Sequence, residues 1–350
     1  MWIKKGTARS RVIAGVLTAA LAIVTTTAMP GALARVPAYP DTTAAATITA
    51  ETPALRDALS AAHKSAECLP GLGHYNRTEA CWSSDFTLNY YLIHKKVGSI
   101  KFVLVQSIQL HVIGREFSEH VAITESKVSG ITIPAYMSLV VSCGTQCHAT
   151  SQWHPGTRVE KGAKGTISYQ DSVRAGGVDI ELTQYKATFR LINGHHANPL
   201  KWKSPLNFRC DDALNGQRAG CVFPAFIPIL TSMAKLPGIA KNIRRIQNKG
   251  PGHYGRPGGG NPLHRLVDEA QQRRNNRIAC AKKVTGPRPK GKSCDEYPFA
   301  STYEGGHSLP RADRGWAWVP TNQQDRQGGL IRTFYYSNRV LNLDAFYVKV

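Results

Sequence analysis

Residues 99–114, SIKFVLVQSIQLHVIG, carry apolar side chains at alternating positions over most of their length. Successive side chains of a strand point to opposite faces, so this pattern predicts a strand with one buried face. The positions predicted to be buried share one parity and are Ile100, Phe102, Leu104, Ile108, Leu110 and Val112.

A second stretch, VDIELTQYKATFRLI at residues 178–192, alternates in the same way through Val178, Ile180 and Leu182. Turn-forming runs such as EKGAKG, RAGG and INGHH separate the apolar stretches from one another. Several short strands between turns favour an antiparallel sheet or sandwich. We therefore predict a mainly β, disulfide-braced N-terminal domain over residues 63–249.

The first residues of the chain have the composition of an export signal. Basic residues precede the apolar run VIAGVLTAALAIV, and the small-residue motif Ala32-Leu33-Ala34 follows it. We expect residues 1–34 to be removed and the mature protein to be secreted, extracellular and without stable membrane association. A retained membrane anchor is the alternative, but the run is shorter than the roughly 20 residues that a span requires. Residues 35–62, rich in Ala and Thr, predict a loose mature N-terminus.

Eight cysteines in a chain that is expected to be exported predict disulfide bonds. A metal site at CGTQCH, with His148 and the two neighbouring cysteines, is the alternative for one pair, although no second ligand pair has a zinc-site spacing. Pairing each cysteine with its nearest neighbour gives the hypothesis Cys68–Cys81, Cys143–Cys147, Cys210–Cys221 and Cys280–Cys294.

The charge of the chain is strongly positive and unevenly distributed. Its 44 Lys and Arg outnumber its 23 Asp and Glu, and a formal net charge of +21 favours polyanionic partners such as nucleic acid. Residues 235–292 hold 15 basic and two acidic residues, whereas residues 293–350 hold six of each. We predict that the basic stretch grips a phosphate backbone, with a solvated basic surface as the alternative. The residues predicted to make this contact are Arg273, Arg274, Arg277, Lys282 and Lys283.

Glycine and proline mark a boundary at residues 250–262, GPGHYGRPGGGNP, which have the composition of a connector. After it, Asn261 is expected to cap a helix whose apolar positions run from Leu263 to Ile278. Farther on, Gly328 and Gly329 precede LIRTFYYSNRV, which predicts another helix. Their amides could cradle a phosphate at its start, with a tight turn as the alternative.

A carboxylate-rich motif, SCDEYPFASTYEGG, occupies residues 293–306 beside the basic stretch. Free carboxylates repel a phosphodiester, so these acids are best explained if a divalent cation lies between them and the substrate. Mg²⁺ or Mn²⁺ takes oxygen ligands, keeps several waters and polarises a phosphoryl group. We therefore expect Mg²⁺ or Mn²⁺ as the cofactor.

This motif resembles the signature of the NucA/NucB-type deoxyribonuclease domain, a family of secreted, metal-dependent, sequence-nonspecific nucleases. The resemblance continues through WVPTNQQDRQGGLIRTFYYSNRVLNLDAFYV and covers roughly residues 262–350. It implies a small α+β nuclease domain over residues 263–350 that hydrolyses phosphodiester bonds in DNA, with RNA left open as a second substrate.

On this sequence the resemblance implies that Asp295 and Glu304 are the functional carboxylates, with Glu296 beside them. Consecutive residues of a strand diverge, so only one of Asp295 and Glu296 is expected to face the site. Asp295 is the expected general base or water-orienting group and Glu304 the expected metal ligand, whereas Glu296 is expected to hold a neighbouring basic residue. A structural ion pair is the alternative for each.

The third metal ligand is less determined. Where the family often has Asn, this chain has Gln324, followed by Asp325, so that the predicted metal site comprises these two residues with Asp295 and Glu304. His307 is a candidate proton donor to the leaving oxygen.

Two further functions remain open at this point. A noncatalytic extracellular nucleic-acid-binding protein could be built on a decayed nuclease domain. The C-terminal domain could also be a toxin payload, with the β-rich region as its delivery module.

Overall fold

Alternating apolar residues build a series of strands in the first two thirds of the chain. The computed structural model describes residues 73–350 and the backbone of residues 45–50. Within these ranges the N-terminal strands are β1 Ala45–Ala50, β2 His74–Tyr75, β3 Glu79–Leu92, β4 Lys95–Gln109, β5 Glu116–Gly130, β6 Ala135–Ser142, β7 Cys147–Ala149, β8 Ala163–Asp171, β9 Val178–Glu181, β10 Gln184–Leu191, β11 His196–Lys203, β12 Phe208–Asp211 and β13 Gly220–Val222.

These strands form a seven-stranded sheet in the order β1-β3-β4-β5-β8-β7, with β2 on β3, and two three-stranded sheets, β11-β10-β6 and β13-β12-β9. Every pairing among them is antiparallel. One hydrophobic cluster contains residues of all three sheets, including Leu104, Phe189 and Phe208. A mostly β structure with few helices is therefore observed, as the sequence pattern predicts.

The predicted burial is confirmed for β4 and wrong for β9. Ile100 and Leu104 of β4 are 1% and 0% exposed. In β9 the apolar residues face outward, because Val178 and Ile180 are 50% and 58% exposed. The partly buried positions of β9 are instead occupied by carboxylates.

Several predictions concern the N-terminal residues. The proposed signal at residues 1–34 lies outside the described residues, as does Cys68. Residues 45–50, predicted to belong to a loose N-terminus, form β1 and pair with β3. Among the helices in the described part of the chain, none has the length and apolarity to cross a membrane.

Three of the predicted disulfides are confirmed: Cys143–Cys147, Cys210–Cys221 and Cys280–Cys294. Cys81 is also disulfide-bonded. Because Cys143 and Cys147 are joined to each other, neither is a thiolate, and the alternative metal site at CGTQCH is wrong.

The C-terminal part combines short strands with four helices in the described chain. Its elements are β14 Ile229–Leu230, α1 Pro237–Lys249, β15 Leu263–His264, α2 Glu269–Ala279, α3 Lys282–Thr285, β16 Lys292–Tyr297, β17 Gly315–Pro320, α4 Thr321–Ser337 and β18 Ala345–Val348. β16 and β17 form an antiparallel hairpin, and β18 lies between β14 and β15.

A second hydrophobic cluster holds these elements together. Ile239 and Ile243 of α1 pack in the same cluster as Leu263, Val319 and Phe346. Helix α1 precedes the predicted connector at residues 250–262, yet it belongs to the core of the elements that follow that segment. The predicted domain bounds stay a prediction, but residues on both sides of this segment share one core.

Two helix starts differ from the prediction. Helix α2 begins at Glu269 and its cap is Asp268, whose side chain accepts a hydrogen bond from the Gln271 amide, so the predicted cap at Asn261 is wrong. Helix α4 begins at Thr321 and contains Gly328 and Gly329. Their amides lie inside a helix, and the predicted phosphate cradle at a helix start is not formed.

Buried ion pairs join the C-terminal elements to the β-rich elements. Arg339, just after α4, is 0% exposed and pairs with Asp211 of β12, which is also 0% exposed. Arg77 and Arg209 both bond to Asp344 beside β18, at 3.2 and 2.8 Å. These ion pairs fix the nuclease-like segment against the sheets.

Candidate functional site

Asp295 lies on the face of the β16–β17 hairpin that packs against α1 and α4. Its side chain is fully buried. The Asn242 amide of α1 donates to Oδ2 at 2.8 Å, and the Gln327 amide of α4 donates to Oδ1 at 2.8 Å. Burial raises the pKa of Asp295 to about 7, although both hydrogen bonds act in the opposite direction. Asp295 thus links three elements and does not reach solvent.

Glu296 points to the opposite face of the hairpin, as expected for the next residue of a strand. Both its carboxylate oxygens accept from the side-chain amide of Asn276 on α2, at 3.0 and 3.1 Å. Burial raises its pKa. The expected basic partner is not found among the described residues, because an uncharged amide occupies that position.

Glu304 lies in the loop between β16 and β17 and pairs with His264 of β15. The His264 backbone amide donates to Oε2 at 2.9 Å, and the ring Nδ1 lies 2.7 Å from Oε1. An ionised carboxylate can only accept, so Nδ1 donates, and the basic lone pair of the imidazole is then on Nε2. The side chains are 39% and 11% exposed for His264 and Glu304. This pair therefore has access to solvent, unlike Asp295.

The predicted metal ligands are not preassembled. In the described part of the chain, two groups of three ligand-type side chains have their donor atoms close together, and Asp295, Glu304 and Asp325 belong to neither. One group is Cys280, Cys294 and Glu296, but its two sulfurs form a disulfide. Asp325 is exposed on α4.

The donor atoms nevertheless distinguish which predicted ligands could hold a cation. Each oxygen of Asp295 accepts an amide in a closed environment, which does not fit a hydrated ion. Each oxygen of Glu304 accepts one hydrogen bond and keeps a second acceptor position, and the side chain is 11% exposed. Glu304 therefore fits as a single protein ligand to a hard cation whose other ligands are water and phosphate.

A cavity of about 570 Å³ lies on the Glu296 side of the hairpin. Exposed Lys282 and Arg288 line it together with half-exposed Trp318. Trp318 packs edge-to-face on Trp316, with ring centroids 5.7 Å apart. Gln324 Oε1 is buried at the cavity without a hydrogen-bond partner among the described residues. Cationic groups beside an aromatic face are suited to a nucleic-acid strand.

Helix α2 connects this cavity to the His264–Glu304 pair. Asn275 donates to the carbonyls of Ala300 and Thr302, in the loop that carries Glu304. The next residue, Asn276, lines the cavity. All the residues predicted to grip nucleic acid are exposed on α2 or α3: Arg273, Arg274, Arg277, Lys282 and Lys283.

The C-terminal segment that carries these residues matches a known protein family. Residues 262–349 match the family model Deoxyribonuclease NucA/NucB. No curated protein and no solved structure matches the chain. The matched residues carry the hairpin, the His264–Glu304 pair and the basic helix α2, whereas α1 lies outside the match. The C-terminal part of the protein is thus a nuclease-family domain.

Sequence reasoning missed some residues that the structure brings to the carboxylates. His264 stands near the start of the resemblance, and its exposed position could be inferred only from the fold. Asn242 lies before the predicted connector, so no motif linked it to Asp295. Gln327 is part of the Gln-Gly-Gly motif and could have been considered as a partner.

Proposed function

We propose that the protein is a secreted, metal-dependent, sequence-nonspecific endonuclease that hydrolyses phosphodiester bonds in DNA. The observation that carries this proposal is the partly exposed His264–Glu304 pair within the segment that matches the nuclease family. The three disulfides are compatible with an extracellular protein.

Hydrolysis of a phosphodiester requires a base for water and positive charge near the phosphate. In this proposal Glu304 orients the His264 ring, whose Nε2 accepts the proton from the attacking water. Glu304 would also hold Mg²⁺ or Mn²⁺, and the ion would polarise the phosphoryl group.

Other residues bind and position the substrate. The exposed basic residues of α2 and α3 contact the phosphate backbone, and Trp318 stacks on a base at the cavity. Asp295 has a pKa suited to a general base, but its full burial keeps it away from the substrate. We assign it the role of a positioning residue that holds β16 between α1 and α4.

A plasmid-nicking assay tests the proposal. We expect the wild-type protein to nick supercoiled DNA with Mg²⁺ or Mn²⁺ and not with EDTA. His264→Ala should lower the cleavage rate by about 10²- to 10⁴-fold, the usual contribution of a general base. Glu304→Gln should also raise the metal concentration needed for half-maximal rate. The exposed Asp85→Asn in β3 is the matched control for loss of a carboxylate.

A noncatalytic nucleic-acid-binding protein is the second candidate, because Asp295 is closed off and the predicted metal ligands are not assembled. In that case the purified protein would bind DNA with and without metal and nick it in neither condition. Cleavage that is insensitive to EDTA, or equal in wild type and His264→Ala, would refute the proposed mechanism.

A further inference from the structure

A carboxylate cluster lies in the β-rich part, far along the chain from the nuclease motif. Asp171 ends β8, and Asp179 and Glu181 are the inward residues of β9. Asp171 is only 1% exposed. Asp179 and Glu181 are partly buried. Burying a carboxylate without a compensating charge is costly, so a buried carboxylate beside two partly buried ones requires an explanation.

Asp171 and Glu181 each accept hydrogen bonds through one carboxylate oxygen only. Asp171 Oδ1 accepts from the Val173 amide at 2.7 Å. Glu181 Oε1 accepts from the amides of Thr145 and Gln146, the latter at 3.1 Å. In contrast, Asp171 Oδ2, Asp179 Oδ2 and Glu181 Oε2 are buried and have no hydrogen-bond partner in the described structure.

Two of the three carboxylates have their oxygens close together, and Asp179 lies two residues before Glu181 in β9. Oxygen atoms of Asp171 and Glu181 lie within 4.8 Å of each other and of Cys147 Sγ. The sulfur belongs to a disulfide and is no ligand for a hard ion. Burial, and to a smaller extent the charges of Asp179 and Glu181, raise the pKa of Asp171 to about 6, while the hydrogen bond from the Val173 amide and the charge of Arg115 act in the opposite direction. Negative charge thus accumulates here beyond what nearby cations offset.

The backbone at Gly144 leaves room for the Glu181 carboxylate. Gly144, in the Cys143–Cys147 loop, has φ of +119°, and a Cβ at this position would overlap the Glu181 carboxylate. A side chain at residue 144 would therefore displace Glu181 from the loop amides. The loop, β8 and β9 converge on the unpartnered oxygens.

We propose that Asp171, Asp179 and Glu181 form a Ca²⁺ site that joins the end of β8 to β9 and the Cys143–Cys147 loop. Ca²⁺ accepts carboxylate oxygens in irregular geometry, whereas Mg²⁺ requires near-octahedral geometry and retains its waters. The ion supplies the positive charge that the cluster lacks and stabilises this rim of the β-rich part. This site is separate from the proposed nuclease centre.

The test uses the full-length protein after treatment with EDTA and removal of the chelator. We expect CaCl₂ to raise the Tm in a saturable manner, and MgCl₂ to do so less at equal concentration, because binding to the folded state stabilises it. Asp179→Asn and Glu181→Gln should abolish the Ca²⁺ response and should raise the Tm of the metal-free protein, since repulsion is relieved. Asp85→Asn, an exposed change in the same part, should retain the response.

Two measurements keep the outcome decisive. Isothermal titration of the wild-type protein with CaCl₂ measures binding even if a variant fails to fold, and absence of binding heat together with an unchanged Tm would overturn the proposal. Glu304→Gln separates the two metal sites, because it should keep the Ca²⁺-dependent Tm shift. A shift that disappears in Glu304→Gln and persists in Asp179→Asn would assign the ion to the nuclease part and refute the site at β9.

Discussion

Asp295→Asn isolates the ionisation of one fully buried carboxyl group. Burial raises the pKa of Asp295 in the folded protein from 3.8 to about 7. The folded state therefore retains a proton between these pH values that the unfolded state has released. The unfolding free energy must then fall as the pH rises through this window, and become independent of Asp295 above it.

The magnitude follows from the shift. About three pKa units at roughly 1.4 kcal/mol each give about 4 kcal/mol lost between pH 4 and pH 8. The asparagine does not titrate, and rotation of the Gln327 amide can restore its hydrogen bond. We therefore expect the stability of the variant relative to wild type to improve by as much as about 4 kcal/mol over the same range.

Urea unfolding at pH 4, 5, 6, 7 and 8, without added metal, measures this difference. Other buried acids, such as Glu119 with a pKa raised by burial to about 7, titrate in both proteins and cancel in the comparison. Parallel stability curves would refute the reasoning and mean that Asp295 ionises as an ordinary carboxyl. Cleavage by the same variant tests the positioning role of Asp295. If Asp295 contacted the attacking water, Asp295→Asn would lose activity as severely as His264→Ala.

Three further predictions concern binding and the packing of the two parts. Trp318→Ala should weaken binding of a single-stranded oligonucleotide by about tenfold, measured by fluorescence anisotropy, whereas Trp318→Phe should retain most of it because stacking on a base contributes about 1–3 kcal/mol. Charge reversal of Arg273, Arg274 and Arg277 together should make the slope of log K for DNA binding against log salt concentration less steep by about 0.9 for each phosphate that is no longer neutralised. Charge reversal of exposed lysines in the β-rich part should leave that slope unchanged. Asp211→Asn should reduce the unfolding free energy by about 3–5 kcal/mol in urea titrations, because it leaves a buried arginine without its carboxylate; a reduction below about 1 kcal/mol would contradict this.

The sequence pattern predicts β4 and fails for β9, and the difference has a physical cause. Alternation gives two faces but does not say which one is buried. In β4 the apolar face packs into the core, with Leu104 0% exposed. In β9 Glu181 faces the Cys143–Cys147 loop, whose amides bind its carboxylate, so the apolar Ile180 is left at the surface.

The sequence pattern likewise predicts only part of the candidate site. The family motif identifies Glu304 and Asp295, and strand geometry separates Asp295 from Glu296. The interactions that decide their roles come from distant positions. Asn242 covers Asp295 from a helix outside the matched segment, and His264 meets Glu304 through the pairing of β15 with β18. Such interactions depend on the tertiary fold and leave no spacing in the sequence.

The nuclease segment and the β-rich part share buried ion pairs. Arg339 lies within the family match, yet its charge is neutralised by Asp211 of the β-rich part. Asp344, also within the match, pairs with Arg77 and Arg209 of the β-rich part, and its backbone carbonyl accepts the Arg265 amide at 3.0 Å. Arg265 is adjacent to His264. The ion pairs to the β-rich part therefore lie one backbone hydrogen bond from the strand that positions the proposed base, and we expect the β-rich part to stabilise the site even if it contacts no DNA.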